Sequence, residues 1–127
     1  MPLDILILDD ETIVGERLKA SLEKDGHSLT TFTDPFNALK SLEEKLFDIV
    51  ITDIRMDDIS GIEILECVRK KNQRTKVIMI TGYATLEVAR ESLTKGAFDF
   101  IAKPFKIKEI REAIDKAANA LQTEDQG

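Results

Sequence analysis

The chain has 127 residues, 43% of them hydrophobic and 33% charged, which suits one globular domain with a core of its own. Its net charge is −6, from 18 basic and 24 acidic residues, and this argues against a surface that binds nucleic-acid phosphates directly. A single cysteine, Cys67, excludes an intrachain disulfide and a cysteine metal cluster. No apolar run is long enough for a membrane span, and Met-Pro-Leu-Asp is not a signal peptide, so a cytoplasmic location is expected.

In chain order, Leu3 to Leu8 reads as a first strand that runs into Asp9-Asp10-Glu11. Thr12 to Lys24 reads as a helix with Val14, Leu18, Ser21 and Leu22 on one face, closed by Asp25-Gly26. His27 is expected as an exposed turn residue, because no second histidine and no nearby cysteine offers it a metal or catalytic set. Ser28 to Phe32 is a second strand. Asp34-Pro35 starts a helix with an N-cap acid and a proline at the first helical position, and that helix runs to about Lys45.

Phe47 to Asp53 is the third strand, and its β-branched run Ile49-Val50-Ile51 suits burial on both faces of a parallel sheet. Ser60 to Glu63 has capping-box spacing and opens a helix to about Lys71, in which Cys67 is expected as a buried or half-buried small residue. Lys76 to Thr81 is a fourth strand, with Met79 as core filler. The fourth helix, about Thr85 to Lys95, has a narrow apolar face of Leu86, Ala89 and Leu93 and is expected to be weakly anchored. Phe98 to Ala102 is the fifth strand. A last helix, Ile107 to Leu121, carries the stripe Ile107, Ile110, Ile114, Ala118 and Leu121. One domain over residues 1–121 and a frayed polar tail over 122–127 follow.

Five strands alternating with five helices predict an α/β fold, a doubly wound parallel sheet covered on both faces. At this length the flavodoxin-like (βα)5 arrangement, strand order 2-1-3-4-5, is natural, and it makes strands 1 and 3 neighbours at the switch point. Asp9, Asp10, Asp53, Thr81 and Lys103 then all stand at strand C-terminal ends, along one edge of the sheet. Carboxylates gathered there repel by about 4 kcal/mol per pair at 4 Å and an effective dielectric near 20. A hard divalent cation offsets this, and an oxygen-only site suits Mg²⁺ rather than zinc. With Lys103 as a point charge and Thr81 as a hydroxyl donor, the set makes a phosphoryl clamp, and Asp53 is the natural nucleophile.

The motifs Ile-Leu-Asp-Asp-Glu at 7–11, Ile-Thr-Asp-Ile-Arg-Met at 51–56, Ile-Thr-Gly-Tyr at 80–83 and Gly-Ala-Phe-Asp-Phe-Ile-Ala-Lys-Pro-Phe at 96–105 are in the order and spacing of a response-regulator receiver domain of two-component signalling. The chain resembles that family from residue 3 to about 121 and is similar to its nitrogen-regulator class. The resemblance implies that Asp53 accepts a phosphoryl group from the phosphohistidine of a sensor histidine kinase or phosphotransfer protein. It implies Mg²⁺ on Asp9, Asp10, Asp53 and the backbone carbonyl of Arg55, with Lys103 and Thr81 on the phosphoryl group. It further implies a cis peptide at Lys103-Pro104 and a signalling switch rather than an enzyme, catalysing only its own phosphotransfer and autodephosphorylation. Its readout would be the face made by the fourth helix, fifth strand and fifth helix, toward an output domain, an effector or a second copy. Phe100 has two readings of equal standing: the aromatic that swings inward with Thr81, or plain strand core.

The chain departs from the family at Asp57, where proline is common, and a second acid, Asp58, follows. This predicts altered Mg²⁺ affinity or slower entry of anionic donors. Arg55 and Tyr83 sit where the family tunes attack of water on the acyl-phosphate, and Tyr83 is expected to shield it. The alternative of another class, a haloacid-dehalogenase-like Mg²⁺ phosphatase, wants an acid two residues after the nucleophile, where Arg55 stands. A flavodoxin needs a Ser/Thr/Gly-rich phosphate loop where Asp9-Asp10-Glu11 lies.

Overall fold

The computed structural model describes residues 2–126 and is built of β1 (Asp4–Leu8), α1 (Thr12–Lys24), β2 (Ser28–Phe32), α2 (Pro35–Glu44), β3 (Ile49–Asp53), α3 (Gly61–Lys71), β4 (Lys76–Thr81), α4 (Leu86–Thr94), β5 (Asp99–Ala102) and α5 (Ile107–Gln126). The strands form one parallel sheet in the order β2-β1-β3-β4-β5, as the alternation of elements predicts.

Strand side chains alternate between two cores. Ile5, Ile7, Ile49, Ile51, Ile78 and Ile80 face Leu18 and Leu22 of α1 and Ile110, Ile114 and Leu121 of α5. Leu6, Leu8, Val50, Val77 and Met79 face Ala38 and Leu42 of α2 and Ile64, Leu65 and Val68 of α3. A strand buried on both faces has no polar side to show, which is why β3 and β4 read as unbroken apolar runs.

Local chemistry sets the helix starts. Asp34 accepts from the Phe36 N–H at 3.0 Å, Ser60 from Glu63 at 3.3 Å and Thr85 from Val88 at 3.1 Å. Gly26 and Gly96 follow α1 and α4 at φ 93° and 104°, a conformation that only glycine adopts without strain. The Lys103–Pro104 peptide is cis.

Five expectations need correction. The strand predicted from Phe47 begins at Ile49, although Phe47 is itself buried. Of the residues expected as a frayed tail, 122–126 are helical, held by ion pairs of Arg74 with Asp125 and of Lys76 with Glu124, and Gly127 lies outside the described residues. Helix α4 buries Ser92 and half-buries Val88 and Ala89; of the expected apolar face, Leu86 and Leu93 are instead 68% and 52% exposed. The Ser92 hydroxyl tolerates burial because it donates to the Val88 carbonyl at 2.9 Å. Cys67 is exposed, since it lies off the stripe of Gly61, Leu65 and Val68 that faces the sheet. His27 is half-buried, its Nδ1 accepting from the Leu3 N–H at 3.2 Å, and so ties the turn after α1 to the start of β1.

Candidate functional site

Because β1 and β3 are neighbours in register, Leu8 opposite Thr52, their C-terminal ends bring Asp9 and Asp53 side by side. Both are buried, at 1% and 5% exposure, whereas Asp10 and Glu11 are exposed. Carboxylate oxygens of all four lie within 4.8 Å of one another. Strand β5 ends one residue before Lys103, whose backbone N–H donates to the Thr81 carbonyl at 2.8 Å. That bond aims the lysine into the cluster, where Nζ lies 2.8 Å from Asp9 Oδ2, 3.1 Å from Glu11 Oε1 and 3.1 Å from Asp53 Oδ2.

The remaining carboxylate oxygens are fixed by the backbone. Asp9 Oδ1 accepts from the Glu11 N–H at 2.8 Å, and Asp53 Oδ1 accepts from the Arg55 N–H at 3.3 Å. Gly61 lets α3 pack directly on the end of β3. A Cβ there would collide with the Asp53 carbonyl and come within 2.8 Å of Ile54 Cα.

The electrostatics are unbalanced, with four carboxylates against one ammonium. Burial pushes the Asp9 and Asp53 carboxyls above the usual range, opposed by their bonds to Lys103. Burial acts to lower the Lys103 ammonium, but Asp9, Asp53 and Glu11 together hold it above its ordinary value. Asp9 Oδ2 is buried without a well-directed hydrogen bond. An oxygen-only cluster with such an atom has the donor chemistry for a hard cation.

The structure thus unites Asp9, Asp10, Asp53 and Lys103, and Arg55 follows directly. Thr81 stands at the same edge, fully buried, but its hydroxyl accepts from the Tyr83 N–H at 3.0 Å and makes no hydrogen bond to Asp53 or Lys103 among the described residues. Phe100 is half-buried against the core on the α2–α3 side, opposite Met79 in register, and takes no part in the cluster. The Arg55 guanidinium stacks on the Tyr83 ring at 3.8 Å, at the edge of the site. Glu11 is the residue that sequence reasoning passed over. The available signal was the third acid in a row at a strand end, where the first two were assigned.

Residues 5–115 match the response regulator receiver domain family. The chain is 32% identical over 120 residues to the DNA-binding transcriptional regulator NtrC of Klebsiella pneumoniae, covering 94% of this chain and 26% of that protein. It spans about a quarter of the length of the curated regulators of this kind that it matches. Among solved structures it is similar to a CheY-like receiver domain from Methanospirillum hungatei JF-1, at 33% identity and a TM-score of 0.90, covering 94% of this chain and 96% of that one. It is also similar to the beryllofluoride-activated NtrC4 receiver domain dimer, at 28% identity and a TM-score of 0.87, covering 92% and 97%. With the parallel sheet in the order found here and the acidic cluster at its C-terminal edge, the chain belongs to the response-regulator receiver domains of two-component systems.

Proposed function

We propose that Asp53 is the phosphoacceptor of this receiver. One observation carries the reading: Asp53 is a buried acid at the centre of a like-charged cluster, with the single ammonium of that cluster 3.1 Å away. An Asp53 carboxylate oxygen attacks the phosphorus of a kinase phosphohistidine. The phosphorus–nitrogen bond breaks, the imidazole leaves with its electron pair, and an acyl-phosphate remains. Lys103 binds the incoming phosphoryl oxygens and holds the carboxylate in line. Asp9, Asp10, Asp53 and the Arg55 carbonyl are the residues that would hold Mg²⁺. When bound, that ion neutralises the acids and the charge on the phosphoryl oxygens.

The Thr81 hydroxyl, now bonded to the Tyr83 N–H, turns to the phosphoryl group, and the loop before α4 follows it. Phe100 is either the aromatic that moves with this turn or a static core residue; its partial burial suits both. Driving a population from 1:99 to 99:1 takes about 5.5 kcal/mol of differential stabilisation, which a few charge-assisted hydrogen bonds of roughly 1.5–3 kcal/mol each supply. The readout is the face of α4, β5 and α5, where Tyr83, Leu86 and Leu93 are exposed. That face would meet an output domain, an effector or a second copy, in line with the dimeric NtrC4 receiver. The domain acts as a switch and catalyses only its own phosphorylation and dephosphorylation. No helix among the described residues is long and apolar enough to cross a membrane.

The test is intact mass after incubation with acetyl phosphate, with and without Mg²⁺, on wild type and Asp53→Asn. A Mg²⁺-dependent gain of one phosphoryl group in wild type alone is expected. A gain that persists in Asp53→Asn would remove Asp53 from this role.

A further inference from the structure

An ammonium has three N–H donors. Around Lys103, Nζ donates to Glu11 and to Asp53 at 3.1 Å each, and Asp9 Oδ2 lies 2.8 Å away as an ion pair without a well-directed hydrogen bond. A phosphoryl oxygen that binds Lys103 enters among three carboxylates within 3.1 Å of Nζ, and displacing one of them makes room for it.

The three are not held equally. The Asp9 and Asp53 side chains are 0% and 7% exposed, and each has its second oxygen tied to a backbone N–H. The Glu11 side chain is 62% exposed. It occupies the N-cap of α1 yet makes no capping hydrogen bond, although an acid at a helix start has a favourable local use. The side chain reaches instead to Lys103, which is distant in sequence, and that is the one hydrogen bond of the Glu11 carboxylate among the described residues. Its backbone N–H is committed to Asp9, so the main chain at Glu11 stays in place when the side chain swings away. Glu11 also lines an open groove of about 840 Å³ that runs past Val14, Arg17, Phe105 and Lys103, which leaves its side chain room to swing away.

We infer that Glu11 is a positioning residue that stands in for the phosphoryl oxygen on Lys103: it holds the ammonium beside Asp53 in the unphosphorylated domain and is the partner displaced when the phosphoryl group arrives. The inference rests on the assignment of Asp53 as acceptor. It sets Glu11 apart from the acids that hold the cation, although its carboxylate lies within the same cluster.

A displaced partner opposes donor binding and leaves the later step alone. Glu11→Gln should therefore lower the acetyl phosphate concentration at half-maximal rate by about three- to fivefold, the range expected for one exposed ion pair, with the maximal rate little changed. Rates are read by intact mass at saturating Mg²⁺, and Mg²⁺ affinity is read separately by calorimetry without donor. Affinity for Mg²⁺ within twofold of wild type is expected; a several-fold weaker affinity would make Glu11 a cation ligand and overturn the proposal. The same comparison at 0.5 M salt separates contact from field. Distant repulsion of the anionic donor is screened out there, whereas a 3.1 Å contact persists, so a gain that vanishes with salt overturns it too. If wild type takes the phosphoryl group and Glu11→Gln behaves identically, this inference alone falls. If neither protein takes it, the assignment of Asp53 falls as well.

Discussion

The two ends of the sheet carry charged clusters of opposite design. At the N-terminal edge, every acid of the cluster has its cation. Arg74 bridges Asp48 at 2.7 Å and Asp125 at 2.9 Å, and Lys76 pairs with Glu124 at 2.5 Å. There the bond from Arg74 holds the Asp125 carboxyl below its usual range. At the C-terminal edge four acids share one lysine, and burial pushes Asp9 and Asp53 the other way. Paired charge fastens a helix to a sheet, whereas unpaired charge of one sign leaves a site that a cation and a phosphoryl group can complete. Opposite responses to charge removal at the two edges follow from this difference.

The largest effect comes from the close packing that forms the acidic edge. Gly61→Ala places a Cβ against the backbone of Asp53 and Ile54, which cannot yield as a side-chain tip could. A loss of about 3 kcal/mol in urea unfolding is expected, from overpacking against fixed backbone. Wild-type stability in this variant would mean that α3 can slide outward at no cost.

Asp9→Asn should act in the opposite direction. A carboxyl whose folded pKa lies above its unfolded value weakens the fold at neutral pH, and this burden is relieved as pH falls through the folded value. Without Mg²⁺ the variant should be more stable than wild type at pH 7. The gap should close as pH falls toward the ordinary aspartate value of 3.8. Adding Mg²⁺ should stabilise wild type more than the variant. Urea titrations at several pH values check this, and a gap that widens on acidification would contradict the sign.

Arg74→Ala breaks the balanced edge. Its side chain is 38% exposed and Asp125 is 52% exposed, so screening limits the loss to about 1 kcal/mol. The more specific readout is hydrogen exchange, which should quicken over residues 122–126 while the middle of α5 is unchanged. Uniform exchange along α5 would show that the pair does not hold its end. Replacing Tyr83 by alanine removes the ring stacked on Arg55. It should shorten the acyl-phosphate half-life by about threefold, a loss near 0.6 kcal/mol, within the range of an exposed cation–π contact. An unchanged half-life would show that the ring does not shield the site.

What the sequence made legible tracks the range of the interactions involved. The three central strands, β1, β3 and β4, could be read because apolar runs buried on both faces leave no other use for such residues. Asp9, Asp10, Asp53 and Lys103 could be placed together because strand order alone brings strand ends to one edge. The last turn of α5 could not be read. Its polar residues satisfy no local pattern, and their partners Arg74 and Lys76 lie far away in sequence. The inner face of α4 was misread for a different reason. Leu86 and Leu93 compete with Val88 and Ser92 for the sheet, and hydrophobicity favours the leucines. A serine that satisfies its own hydroxyl within the helix can nevertheless be buried. Glu11 was hidden by its position at a helix start, where an acid already has a reason to be.

Asp57 and Asp58 test how local the acidic imbalance is. Both are exposed, and neither belongs to the cluster of Asp9, Asp10, Glu11 and Asp53. They can act on a cation or an anionic donor only through a field that water and salt screen within about 8–10 Å at ordinary ionic strength. Asp57→Asn with Asp58→Asn should therefore weaken Mg²⁺ binding and speed acetyl phosphate entry by only about twofold, the scale of exposed charges. Both changes should fade at 0.5 M salt. Calorimetry and initial rates measure the two. A tenfold change that survives high salt would show that the loop carries its acids into contact with the cation, and the imbalance at this edge would then involve six carboxylates rather than four.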